Sequence, residues 1–147
     1  MKILNEKILN EESLREASDQ LHDAVFEAES IVFDEEKSLF QMELWRECRN
    51  ETRTENIFWF FRRTKTLRRR CSLEFFDIRD ATISRTGNLD FHSLFRIYVN
   101  SGAGHLVFET EGAVEIELSS CSSINGELID SDETTWNQFG YETLGSR

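Results

Sequence analysis

Between Phe95 and Leu118 the chain alternates apolar and polar residues in three short runs, and the breaks between them leave room only for a reversal of direction. Phe95, Ile97 and Val99 alternate with Arg96 and Tyr98; Leu106 and Phe108 alternate with Val107 and Glu109; Val114, Ile116 and Leu118 alternate with Glu115 and Glu117. The breaks are Asn100-Ser101-Gly102-Ala103-Gly104 and Glu111-Gly112. A period of two sends successive side chains to opposite faces of a strand. A parallel crossover needs a dozen or more residues, so these runs pair antiparallel, as a meander with one face buried and one in water.

Upstream, Asn10 is suited to cap a helix, and Glu11 and Glu12 follow where acids favour the helix dipole. Leu14, Ala17 and Leu21 recur at helical spacing, which predicts an amphipathic helix over about residues 11–21. At Leu21 the period falls to two. Phe26, Ala28 and Val32 interleave with Glu27, Glu29 and Ile31; after the polar turn Asp34-Glu35-Glu36-Lys37, Phe40, Met42 and Leu44 interleave with Gln41 and Glu43. These two runs predict a hairpin. Residues 48–56 read as a polar loop, and Ile57-Phe58-Trp59-Phe60-Phe61 as a short strand buried on both faces. Cys71, Leu73 and Phe75 open another strand, continued by Phe76 and Ile78 after a bulge, and Ile83 marks a further one. From Ser119 onward serines and acids predict a loosely attached tail, pinned by Trp136, Phe139 and Tyr141.

The expected fold is mainly β (α+β): an antiparallel sheet of about eight strands rolled into a sandwich or half-barrel, with one N-terminal helix over an open end or face. A chain of 147 residues is one domain in size. Within 1–147, residues 1–22 are the helical N-terminal segment, 23–119 the β core and 120–147 the acidic tail. Proline is absent, so the turns rest on Gly, Asn and Asp. No apolar run is long enough to span a bilayer and the charged N-terminus does not resemble a signal peptide, so the expectation is a cytoplasmic protein with no membrane association.

The charge is unevenly placed. Residues 1–36 carry 11 acids against 3 bases, residues 37–100 carry 8 against 13, and residues 101–147 carry 9 against 1. The basic peak, Arg62 to Arg70, has the composition of a phosphate-binding patch. A net charge of −11 repels a polyanion at long range and attracts a basic protein, so the patch reads instead as a hairpin end or as the seat of the acidic arms.

No motif for catalysis stands out. His22-Asp23 offers an acid–base pair, or a turn network if the two side chains point apart. His92 and His105 stand at strand starts, where they could form two ligands of a metal site, but no third ligand lies at a diagnostic spacing. Cys48, Cys71 and Cys121 are too widely separated for the paired ligands of a zinc site, and the strand-like apolar contexts of Cys71 and Cys121 predict buried free thiols. The serines at 119, 120, 122 and 123 lack a nucleophile-elbow context, and Gly102-Ala103-Gly104 lacks a following helix. No catalytic residue, metal or cofactor is assigned. Trp45 and Tyr98 fall on positions that alternation turns away from the core, where aromatic residues often anchor a partner; Trp59 reads as covered.

Leu21-His22-Asp23-Ala24 ahead of an alternating hairpin, then Leu73-Glu74-Phe75-Phe76-Asp77-Ile78, then a meander, resembles a group of short bacterial β-rich proteins of uncharacterised function. Some of these are immunity proteins of polymorphic-toxin systems. The resemblance spans about residues 20–120 and implies a non-catalytic protein. The expected function is therefore a non-enzymatic protein-binding domain, in its sharpest form an acidic immunity-type inhibitor of a basic toxin, with Glu27, Glu29, Trp45, Tyr98, Glu115 and Glu117 as contacts. Two alternatives stay open. One is a small-ligand binder or enzyme using the half-barrel interior, with His22, His92 and His105 in the cavity. The other is a homo-oligomeric structural subunit.

Overall fold

A computed structural model describes residues 3–59, 61–86, 90–100, 104–111, 114–120 and 123–136. Helix α1 spans Glu11–Gln20. The Asn10 side chain accepts from the Ser13 N–H at 2.8 Å, and Ser13 Oγ accepts in return from the Asn10 N–H at 3.1 Å, so two orphan donors of the first turn are satisfied reciprocally. At the other end Arg49 donates to the carbonyls of Asp19 and His22, a cation placed at the negative pole of the helix.

The described residues form ten strands, in the order β1 (Asn5–Ile8), β2 (Val25–Glu27), β3 (Val32–Asp34), β4 (Leu39–Phe58), β5 (Phe61–Phe75), β6 (Ile78–Arg85), β7 (Phe91–Asn100), β8 (His105–Glu111), β9 (Val114–Ser120) and β10 (Gly126–Thr135). A 3-10 turn at Ala28–Ser30 separates β2 from β3. All described pairings are antiparallel, in one open sheet ordered β1-β10-β5-β4-β2-β7-β8-β9-β6, with β3 pairing β4 along the same edge as β2. The sheet curls: β6 comes round to the β3–β4 turn, where the Ile78 N–H donates to the Ser38 carbonyl at 2.9 Å. The curl brings Phe108 of β8 against Phe40 and Phe75 of β4 and β5, at ring distances of 5.4 and 6.1 Å. The concave face holds the core, including Met42, Leu44, Leu73, Leu128, Ile116 and Leu118, and α1 adds Leu14 and Ala17. Burying side chains of this kind stabilises by roughly 1.5–3 kcal/mol each.

The structure thus bears out the β-rich antiparallel fold with one N-terminal helix, and corrects several details. Residues 48–56 are strand, not loop. Alternation fails there because four residues of β4, Cys48 to Glu51, bulge against Leu67 alone before the ladder resumes at Thr52. The run 57–61 is not one strand: Ile57 and Phe58 end β4, Phe61 opens β5 opposite Phe58, and Trp59 stands in the turn between them, 94% exposed instead of covered. The segment expected as a loose tail supplies β10, which inserts between β1 and β5. Of its three expected pins, Trp136 lies under the Arg53 guanidinium at 4.6 Å; Phe139 and Tyr141 lie outside the described residues, as does Cys121.

The Arg-rich strand is drawn into the fold by its neighbours. The Arg46 Nε–H donates to Asp130 Oδ1 at 2.8 Å and its Nη2–H to Oδ2 at 2.6 Å; Asp130 Oδ2 also accepts from the Leu4 N–H at 2.7 Å. Arg68 donates to the carbonyls of Asp23 and Trp45 and to Glu47, Arg69 donates to the Ser131 carbonyl, and Arg70 bridges Glu43 and Glu133. Arg68 and Arg69 are buried, as is Arg46 beside them on β4, so the inner end of the basic patch is internal structure, while Arg62, Arg63, Lys65 and Arg70 stay at least partly exposed.

Candidate functional site: an acidic groove on the outer sheet face

Because Leu106, Phe108, Val114, Ile116 and Leu118 face the core, their strand neighbours must face out. The register then fixes rows across the outer face. Thr82, Glu117, Val107 and Tyr98 lie side by side on β6, β9, β8 and β7, and Ser84 lies beside Glu115 in the next row. Together with the His22-Asp23 turn, this face forms an open groove of about 720 Å³. Among the described residues its lining carries five acids, Asp23, Glu109, Glu111, Glu115 and Glu117, and no Lys or Arg. Among the described residues neither Glu111 nor Glu115 enters an ion pair.

Two of the carboxylates are oriented by neighbours. Arg96 grips Glu109 with two parallel hydrogen bonds, Nε to Oε2 at 2.8 Å and Nη2 to Oε1 at 2.9 Å, while its guanidinium stacks on Tyr98 at 4.5 Å. That grip holds the Glu109 carboxyl below the usual glutamate range and raises Arg96. His105 Nδ1 contacts Glu117 at the far end of the groove.

The apolar wall is Phe95, 53% exposed. Alternation predicts it on the core face with Ile97 and Val99. A bulge between Leu94 and Arg96 shifts the register and turns it outward. The His22 ring meets Phe95 edge-on at 5.3 Å, and its Nδ1–H donates to the Phe95 carbonyl at 2.9 Å. His22 and Asp23 are not on a strand. Asp23 takes a left-handed backbone (φ 66°), its N–H donates to the Leu94 carbonyl, and its Oδ2 stands 3.5 Å from His22 Nε2. The two side chains therefore touch, in a turn network that fixes the groove's rim.

The other expected contacts are divided. Glu115 and Glu117 line the groove and Tyr98 borders it, whereas Glu27, Glu29 and Trp45 line a separate recess of about 430 Å³ with Ser30, Glu43 and Arg70. The acids of that recess are largely engaged. Arg85 donates to Glu29 Oε1 at 2.7 Å, which holds the Glu29 carboxyl below its usual range, and Arg70 contacts Glu43. The two-histidine site does not form: β7 and β8 run antiparallel, so His105 pairs with Asn100 while His92 pairs with Phe26, roughly 26 Å away along β7. His92 is buried with its ring 5.7 Å from Phe26. Among the described residues no group of three or more His, Cys, Asp and Glu is arranged to hold a metal ion.

Phe95, Glu109 and Glu111 were not singled out as site residues from the sequence, and Asp23 was singled out only as a partner of His22. The adjacent apolar pair Leu94-Phe95, which no strict alternation accommodates, is the one signal that could have exposed the bulge. The chain matches no family model, and comparison with curated proteins and with solved structures yields no match.

Proposed function

We propose that this chain is a non-enzymatic binding domain whose outer-face groove receives a basic surface of another protein, and that its specific role is that of an acidic immunity-type inhibitor of a basic toxin. The observation that carries this reading is the groove itself: among the described residues its lining holds five acids, of which only Glu109 is matched by an arginine, beside one exposed aromatic ring. Glu111 and Glu115, which enter no ion pair among the described residues, and Glu117, whose side chain His105 already orients, favour a partner guanidinium or ammonium. Phe95 supplies the apolar anchor that an interface of this kind needs. The net charge of −11 steers a basic partner toward the molecule.

The test is capture from the native lysate at low and moderate salt, with wild type and a Glu111→Lys/Glu115→Lys variant as baits. The reading expects a basic protein held by the wild type, released at higher salt, not held by the variant, and inhibited by wild type in its own activity assay. Equal retention on both baits would overturn the groove as the contact surface.

A second reading rests on size. A volume of about 720 Å³ falls in the range of small-molecule sites, so a small cationic ligand also fits the groove. Spermidine is a suitable probe, and a thermal shift abolished by Glu111→Lys/Glu115→Lys is the expected result for that alternative.

A further inference from the structure

The β4–β5 hairpin carries a second surface, on elements that contribute nothing to the lining of the groove. Strand β10 pairs with β5 as far as Arg68; beyond it, from Thr52–Thr66 to Phe58–Phe61, the hairpin ladder is paired only with itself among the described strands. Six residue steps at about 3.3 Å make this arm roughly 20 Å long. At its end the sequence reads Ile57-Phe58-Trp59-Phe60-Phe61, and Trp59 is 94% exposed. Residues 52–66 hold four bases, Arg53, Arg62, Arg63 and Lys65, and a single acid, Glu55. Arg53, Arg63 and Lys65 all share that one carboxylate, and exposed Arg62 enters no ion pair among the described residues.

We propose that this arm docks the protein on an anionic lipid bilayer, with Trp59 seated among the headgroups and Arg62, Arg63 and Lys65 over the lipid phosphates. Aromatic rings with an apolar body and a polar edge settle at the membrane–water interface, and clustered cations beside them are attracted by anionic lipid. The rest of the chain is strongly acidic and is repelled by the same surface. Length resolves this conflict: the arm is more than twice the Debye length of about 8 Å at physiological salt, so the tip reaches the headgroups while the body's charge is largely screened. Contact is thereby confined to the hairpin, and the acidic groove stays open to solvent. No described helix is long and apolar enough to cross a membrane, and this docking requires none.

The experiment is co-sedimentation of the full chain with vesicles of phosphatidylcholine alone or of an equal mixture of phosphatidylcholine and phosphatidylglycerol. The wild type is expected to bind the mixed vesicles and not the neutral ones, with binding weakening as salt is raised. Trp59→Ala is expected to lower the partition coefficient roughly tenfold, and Arg62→Glu/Arg63→Glu to abolish binding. Both variants alter exposed or partly exposed positions, and circular dichroism verifies their fold. Absence of wild-type binding to the mixed vesicles at low salt would overturn the proposal, as would equal binding to both vesicle types. Binding that survives Trp59→Ala and is displaced by a single-stranded oligonucleotide would reassign the arm to nucleic acid. Binding retained by Arg62→Glu/Arg63→Glu would also refute the docking geometry.

Discussion

Replacing Asp130 by Asn removes one charge and leaves the shape of the side chain almost unchanged, which makes it a sharp probe of how β10 is held. The Asp130 side chain is 0% exposed and that of Arg46 is 6% exposed. Asp130 accepts two hydrogen bonds from Arg46 and one from the Leu4 N–H, so a single carboxylate ties β10 to β4 and to the chain leading into β1. An amide can accept through only one atom, and the buried guanidinium loses its counter-charge. Breaking a buried pair in this way costs about 3–5 kcal/mol, a large share of the roughly 5–15 kcal/mol that stabilises a typical domain. At about 3 °C per kcal/mol for this size, Tm should fall by roughly 9–15 °C. Urea denaturation followed by circular dichroism should give a lower midpoint at unchanged slope, and hydrogen exchange should show faster exchange at the β1 amides. The double variant Arg46→Met/Asp130→Leu should recover much of the loss, since it removes both charges together. A loss below about 1 kcal/mol for Asp130→Asn would refute the reasoning, because it would mean that the pair is solvated.

Three further outcomes follow from the same geometry. Gly126→Ala would place a Cβ 2.6 Å from Phe75 Cδ1 and 2.7 Å from the Glu74 carbonyl oxygen, where backbone cannot yield, so urea midpoints should report a loss of about 1–3 kcal/mol. Burial pushes the Cys71 thiol up to about 12, so in mildly alkaline solution peptide mapping should find Cys71 alkylated only as fast as the domain unfolds, and Cys48, at the edge of an open recess, modified sooner. Carboxyl NMR should find Glu109 titrating below the ordinary glutamate range, and Arg96→Gln should return it there. Since the folded value is the depressed one, the pair's contribution is present above the ordinary glutamate value and disappears as acid protonates Glu109 through its folded value.

What the sequence revealed depended on how far strict alternation holds. The meander was readable because Leu106 to Leu118 keeps period two with glycine turns, and α1 because Asn10 and the spacing of Leu14 and Ala17 agree. Bulges hid the rest. The extra residues Cys48 to Glu51 disguised the middle of β4 as a loop, and the bulge at Leu94–Arg96 placed Phe95 on the wrong face. Strand β10 was invisible for a different reason: its inward position at Asp130 is charged, and only a partner from another strand, Arg46, makes such a residue tolerable in a core. The groove was legible in part. Glu115, Glu117 and Tyr98 follow from alternation, whereas Asp23 and His22 reach the rim through a tertiary contact with β7 that no local pattern encodes.

Whether the outer-face groove is the contact surface can be read from hydrogen exchange of the chain alone and with the basic protein it captures. Slowed exchange is expected in β8, β9 and the His22–Asp23 turn, with β1 and β10 unchanged. Slowing at the β4–β5 hairpin or at β1 and β10, with β8 and β9 exchanging as in the free protein, would contradict it.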